Sequence, residues 1–297
     1  MGAGIAGHLA RAGLEVKLAD ASEEHAQRAR EALLDRTRGH VDAELLDADA
    51  LAATERVTAM ADVEAAIEGV DLIVEAVPED PGLKAQILRR ASTAGEAIIA
   101  TNTSSLPIGG LAESVRNPAR FLGVHWFNPP EWTPGIEVIA GPDTDRTVVE
   151  RVLDFLRGVG KQPAEVADRA GFVSNRLQMA LLREALAIVE EGQTTREDLD
   201  VIVRSTFGFR LPFYGPFQIA DMAGLDTYLS VYETLERDVG PEFAPPAQLR
   251  EHVDAGRLGA KSGEGFATYS DEARAKLLLE RDRRYAALAK LLEEQAG

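Results

Sequence analysis

Over the first 168 residues, apolar positions switch between a helical period and short continuous runs. Ala3, Ile5, Ala6, Leu9, Ala10 and Ala12 form the small-residue face of a helix that Gly13 closes. Val16 to Ala19 then reads as a strand ending at Asp20. Ser22 has the chemistry of an N-cap for a helix running to about Leu46. Thr54 to Thr58 predicts a short strand, Val63 to Glu68 a short helix, and VDLIVEAVP (Val70 to Pro78) a strand apolar enough for burial on both faces. A helix over Leu83 to Arg90, a strand over Ala97 to Ala100, and a strand, Pro-rich turn and strand over Phe121 to Gly141 follow. Arg146 to Gly158 is an amphipathic helix and Gln162 to Val166 the last strand. This alternation predicts an α/β domain with a Rossmann-like, doubly wound parallel sheet.

After Asp168 the strand signals vanish. Helices are predicted from about Val173 to Glu191, from the capping-box-like Thr195, and over Phe217 to Asp238, Pro246 to Ala255 and Glu272 to Glu294. The expected division is a Rossmann-like domain over residues 1–168 and an all-α domain over 169–297. Apolar stripes on its helices would suit a homodimer.

Composition works mainly by exclusion. A net charge of -17 repels phosphate, which argues against nucleic acid or an anionic membrane surface as partner. Without cysteine there are no disulfides, thiolate metal sites or cysteine nucleophiles, and no metal-ligand cluster is recognisable. No apolar run has membrane-spanning length and the start lacks a basic region followed by an apolar core, so a cytoplasmic enzyme is expected.

In doubly wound sheets, ligands bind beyond the carboxyl ends of strands, where Glu75 to Glu79, Asn102 to Ser105 and His125 to Asn128 fall. His125 ends one strand and Glu137 lies on the returning one, so a base and its orienting carboxylate could face each other. Taken alone, a His beside Trp126 and Phe127 is more often a satisfied core residue. Asp20, at the end of a strand, suits the ribose diol of NAD. Gly2 and Gly4 alone read as close-packing glycines of a helix against a sheet.

Together these motifs resemble the L-3-hydroxyacyl-CoA dehydrogenase family over the whole chain. The resemblance is carried by the MGAGIA helix, VEAVPED with Lys84, TNTSSL, GVHWFNP, IEVI, GFVSNR, GPF with DMAGLD, and GAKSGEGF, in family order. It implies an NAD-binding Rossmann-like domain, a helical dimerisation domain, and a small-molecule substrate between them. It also implies His125 as the base, Glu137 as its orienter, and Ser104 and Asn175 as hydrogen-bonding groups for the reacting oxygen or the adjacent carbonyl. Gly2, Asp20, Ala76, Glu79, Lys84, Asn128 and Lys261 would serve the cofactor; Glu79 and Lys84 could also be an ordinary exposed ion pair, and Lys261 a turn residue.

The opening strand and first glycines of the family's fingerprint are missing, so an N-terminally shortened form is expected. That leaves an inactive form, or a non-catalytic dimeric relative, as an alternative to an enzyme. The helix after Asp20 also lacks the Ser and Lys-rich segment that CoA-using members present, although Arg36 and Arg38 stand there. The HWxNPP and KSGEG variants look closer to a branch similar to the dehydrogenase of pyridoxine degradation. The substrate is therefore either a 3-hydroxyacyl-CoA or a compact aromatic or hydroxy carboxylate.

Overall fold

The computed structural model describes residues 1–296; Gly297, the last residue of the expected helical domain, lies outside them. The chain forms two compact units, Met1–Leu182 and Arg183 onward.

The first unit holds α1 (Gly2–Arg11), β1 (Lys17–Ala19), α2 (Glu23–Asp42), α3 (Asp49–Glu55), β2 (Thr58–Met60) and α4 (Val63–Ala66). β3 (Leu72–Glu75), α5 (Pro81–Ala91), β4 (Ile98–Thr101), α6 (Ile108–Ala112), β5 (Phe121–Trp126), β6 (Gly135–Ala140), α7 (Arg146–Gly158) and β7 (Gln162–Val166) follow. α8 (Ser174–Glu190) runs across the boundary of the two units.

β1 and β2 pair in parallel, and β3 to β7 form a separate five-stranded sheet in sequence order. Every pair in that sheet is parallel except β5 with β6. A parallel return needs a crossover of a dozen or more residues; the Pro-rich turn between β5 and β6 is too short for one, so the chain doubles back.

Helices cover both faces of the larger sheet. Ile5 and Leu9 of α1 join Val149, Val152 and Leu156 of α7 over one face, while Leu88, Ile108, Leu111 and Phe172 cover the other. The opposite side of α1 packs Ala6 and Ala10 against Leu33 and Val57, beside Leu18 of β1, so one helix serves both sheets.

Most predicted elements are present, with three shifts. Thr54 lies in α3, its hydroxyl bonded to the Ala50 carbonyl, and the strand begins only at Thr58. The buried positions Ala50, Ala53, Thr54 and Val57 follow a helical spacing, which outweighs the β-branched residues. α2 ends at Asp42 rather than near Leu46. The predicted Phe217 to Asp238 helix is two helices, broken at Gly224.

The second unit is helical: α9 (Arg196–Ser205), α10 (Phe207–Arg210), α11 (Pro216–Ala223), α12 (Leu225–Asp238), α13 (Ala247–Asp254) and α14 (Asp271–Ala296). Gly224, between α11 and α12, has φ 105°, a conformation that side-chain-bearing residues rarely adopt. Asp221, buried in α11, accepts the amides of Phe266 and Ala267 and the Tyr269 hydroxyl, fixing the GEGF turn. No helix among the described residues is long and apolar enough to cross a membrane.

Candidate active site

The site begins with strand register. His125 and Glu137 are direct partners across β5 and β6, and Nδ1 of the imidazole lies 2.8 Å from Oε2 of the carboxylate. Both side chains are almost wholly buried. Phe127 and Phe172 stand against the ring, with centroids at 4.4 and 5.7 Å. With Nδ1 committed to Glu137, Nε2 has no hydrogen-bond partner among the described residues. That leaves one ring nitrogen oriented and the other available to exchange a proton.

The second oxygen of Glu137 anchors the chain entering α8, accepting the amides of Val173 (3.0 Å) and Ser174 (2.8 Å). Gly171 and Phe172 reach this point with φ 72° and 49°. For a bulky residue such as Phe172 that is a strained conformation, of a kind costing about 1–3 kcal/mol. Its ring, buried against Leu88, Ile108 and Phe121, offsets the strain.

α8 in turn carries Asn175. Its Nδ2 donates to the Ser104 backbone carbonyl at 2.8 Å, so the Asn175 amide holds the Ser104 loop with at least one of its hydrogens. The Ser104 hydroxyl itself has no protein partner among the described residues. His125, Glu137, Ser104 and Asn175 thus belong to one connected arrangement within the first unit.

Glu79 sets the TNTSSL loop. A single oxygen, Oε1, accepts the Thr103 hydroxyl (2.6 Å), the amides of Ser104 and Ser105 (2.9 Å each) and the Ser105 hydroxyl (3.0 Å). Burial opposes the charge, yet these bonds and nearby Lys84 hold the Glu79 carboxyl down to about 2. Lys84 is not the exposed partner that the sequence allowed. It is 0% exposed, its ammonium on Glu75 Oε1 (3.0 Å), Glu75 Oε2 (3.2 Å) and the Val77 carbonyl (3.1 Å), with Glu79 Oε2 at 3.4 Å. Glu75 also accepts the Thr101 hydroxyl at 2.6 Å. Sequence reading assigned no role to Glu75 or Thr101, although one signal pointed to their partner: Lys84, Leu88 and Ala91 have the spacing of one helix face, and all three are buried.

The remaining candidates are more scattered. Asp20 is exposed at the end of β1. Gly2, at the start of α1, lies beside Ala76: a Cβ built there would be 3.6 Å from that of Ala76. The first-turn amides of α1 receive no side-chain cap. A carboxylate for a ribose, uncapped helix amides for a pyrophosphate and a small residue alongside fit a dinucleotide. Asn128 is exposed just after β5, and its peptide bond to Pro129 is cis. Lys261, in the second unit, pairs with Asp226 at 2.7 Å and is half-exposed.

Gly4 and Gly7 have a packing role. A Cβ at Gly4 would be 2.6 Å from the Pro130 ring and one at Gly7 2.6 Å from Leu33. These glycines admit a turn and a helix to α1 rather than a sheet. Behind Pro130 lies a cluster that sequence reading missed: Glu131, its side chain 3% exposed, with Arg36 at 3.3 Å, and Lys161, buried with its ammonium on the Pro130 and Thr133 carbonyls.

Comparison with known proteins places this geometry in context. Residues 1–169 match the family model described as 3-hydroxyacyl-CoA dehydrogenase, NAD binding domain, and residues 171–269 that of the C-terminal domain. The chain is 38% identical to 5-formyl-3-hydroxy-2-methylpyridine 4-carboxylate 5-dehydrogenase of Mesorhizobium japonicum, over 99% of this chain and 95% of that protein. It is 36% identical to 3-hydroxybutyryl-CoA dehydrogenase of Mycobacterium tuberculosis, over 91% and 95%. Among solved structures, the 3-hydroxyacyl-CoA dehydrogenase of Archaeoglobus fulgidus superposes with a TM-score of 0.81 at 31% identity, covering 99% of this chain and 95% of that one.

Proposed function

The chain belongs to the 3-hydroxyacyl-CoA dehydrogenase family of NAD-dependent oxidoreductases, and from that premise we propose that His125 is its general base and that hydride is taken from a hydroxyl-bearing carbon. The observation that carries this reading is the buried His125–Glu137 pair at 2.8 Å, with Nε2 unpartnered among the described residues.

NAD, when bound, accepts the hydride. The protein's own work lies around it. His125 Nε2 takes the hydroxyl proton, and Glu137, on Nδ1, fixes the tautomer and stabilises the imidazolium that forms. The Ser104 hydroxyl donates to the oxygen as it becomes a carbonyl, and Asn175 keeps the loop in register through the Ser104 carbonyl. Phe127 and Phe172 keep water from the imidazole. Asp20 would hold a ribose, the first-turn amides of α1 the pyrophosphate, and Ala76 and Asn128 would line the dinucleotide. Glu79 and Lys84 act beneath that surface. Lys261, paired with Asp226, is assigned no contact.

A 3-hydroxyacyl-CoA or 3-hydroxy acid is the first substrate reading. The second, a compact non-CoA carboxylate, is favoured by the 38% identity to a dehydrogenase of a pyridine carboxylate. A homodimer is proposed as well, supported by the exposed Leu177, Met179, Leu181 and Leu182 on α8.

The test is an NADH fluorescence titration followed by NADH-linked turnover of acetoacetyl-CoA, acetoacetate and formylpyridine carboxylates. His125→Gln should lower kcat by about 10²- to 10⁴-fold and leave NADH affinity unchanged. Equal kcat in the variant and the parent would remove His125 from the mechanism.

A further inference from the structure

β4 and β5 run parallel but do not end together. Their register pairs Ile99 with Phe121, Ala100 with Leu122 and Thr101 with Gly123, and there β4 stops while β5 continues to Trp126. The last residues of β5, His125 among them, are therefore paired with a strand only on the β6 side. A side chain takes the place of the missing strand. Asn102, the first residue beyond β4, offers its Oδ1 to the Trp126 amide, which donates to it at 2.8 Å. The amide of Asn102 itself donates to the Glu75 carbonyl at 2.7 Å, which keeps Asn102 in line with β3.

A continuing β4 would satisfy Trp126 through its backbone, but TNTSSL has to leave the sheet to reach Glu79. An Asn side chain mimics a peptide group, so the loop can turn away while the amide stays bonded. Among the described residues this is the only side-chain hydrogen bond joining the loop to β5. The others lead from Thr101 to Glu75, from Thr103, Ser104 and Ser105 to Glu79, and from Asn175 to the Ser104 carbonyl. Ser104 lies two residues beyond Asn102, and His125 one residue before Trp126. Trp126 packs with Ile5 and Leu9 on the α1 face, whereas the His125 ring stands against Phe172 on the other. Asn102 thus grips the peptide from which His125 projects.

We propose that Asn102 is a positioning residue for the hydride-transfer reaction: it sets where the Ser104 hydroxyl stands relative to His125, acting through the Trp126 peptide. The inference rests on the roles given above to His125 and Ser104, and Asn102 bonds to neither side chain. A base and a hydrogen-bond donor that serve one oxygen must reach it together, and a displacement of about 1 Å can cost about 10²-fold in rate.

The experiment compares wild type, Asn102→Ala, Asn102→Ser, Asn102→Asp, Ser104→Ala and the double variant Asn102→Ala/Ser104→Ala. NADH affinity is read by fluorescence, turnover with acetoacetyl-CoA and a formylpyridine carboxylate, and the Trp126 amide by hydrogen–deuterium exchange. Asn102→Ala should speed exchange at the Trp126 amide about ten-fold or more and lower kcat about ten- to hundred-fold, with NADH affinity unchanged. Asn102→Ser, whose hydroxyl stops one bond short of the amide, should show the same kinetic loss with a smaller drop in thermal midpoint. Asn102→Asp keeps an oxygen for the amide and should restore both its protection and most of kcat. In the Ser104→Ala background the loss from Asn102→Ala should shrink several-fold, because the group being positioned is gone. Parental kcat in Asn102→Ala and Asn102→Ser, a parallel loss of NADH affinity, additive losses in the double variant, or a Trp126 amide still protected without Asn102 would each overturn the proposal. Failure of the underlying reading shows elsewhere. His125→Gln with the parent's kcat removes the general base, whereas an impaired His125→Gln beside an unimpaired Asn102→Ala removes only the positioning role.

Discussion

Glu79 shows how one side chain can organise a catalytic loop without touching the reaction. Four donors converge on a single oxygen, and they come from the three residues that present and flank Ser104. A carboxylate accepts more strongly than a neutral oxygen, so its ionisation and the shape of the loop are coupled. Its folded-state pKa, about 2, lies below the value near 4.3 of an unfolded chain. The resulting stabilisation is therefore complete above the unfolded value and drains away as pH falls towards 2. Thermal unfolding between pH 6 and pH 3 should show wild type losing its margin over Glu79→Gln; a constant gap between the two would contradict the coupling. His125 and Glu137 were both legible as residues because their spacing across a Pro-rich turn implied an antiparallel return. Lys84 was misplaced because its charge outweighed its spacing: Leu88 and Ala91, four and seven residues on, mark the buried face it shares. Glu75 on the neighbouring strand, with the Val77 carbonyl and Glu79, makes that burial tolerable.

At the scale of elements, α1 is the keystone of the first unit, and its glycines make that possible. Gly4 meets the rigid ring of Pro130, whereas Gly7 meets the mobile end of Leu33 and the tip of Arg11. The two positions should respond differently to the same change. Gly4→Ala is expected to cost about 1–3 kcal/mol in denaturant unfolding, because neither ring nor helix can yield cheaply. Gly7→Ala should stay within about 1 kcal/mol of wild type, since Leu33 can rotate and alanine favours the helix. Equal losses at both positions would mean that the turn is softer than its packing implies. Sequence periodicity located α7 well, because its apolar stripe of Val148, Val149, Val152, Leu153 and Leu156 is long, and α5, because Asp80 caps its start. It joined α11 to α12, because the apolar pattern runs on through Gly224 and nothing local announces φ 105° there. It also assigned a strand where α3 stands, since five residues are too few to separate the two periods.

For the whole molecule, α8 carries several exposed apolar side chains. Leu177 is 61% exposed and Met179 54%, apolar surface that a partner could remove from water. Sedimentation equilibrium is expected to give twice the 32.0 kDa chain mass, and Leu177→Glu to reduce it to one chain. A wild-type mass of one chain would contradict the assembly. The molecule as a whole carries a net charge of -17, so the basic cluster around Glu131 stands out only after folding. Arg11, Arg36 and Lys161 are far apart in sequence and come together because α1, α2 and the start of β7 meet behind one turn.

Periodicity and motif order by themselves determined the alternation of elements, the change to an all-helical second half, the family and the pairing of His125 with Glu137. These are local properties, or properties of one short turn, and they survive in a one-dimensional pattern. Tertiary structure alone decided that Lys84 is buried, that Asn175 grips the Ser104 loop, that Gly4 and Gly7 are contact points, and that three distant cations share Glu131. Each of these depends on which surfaces are pressed together, and burial turns an ordinary charge into one that must find a partner.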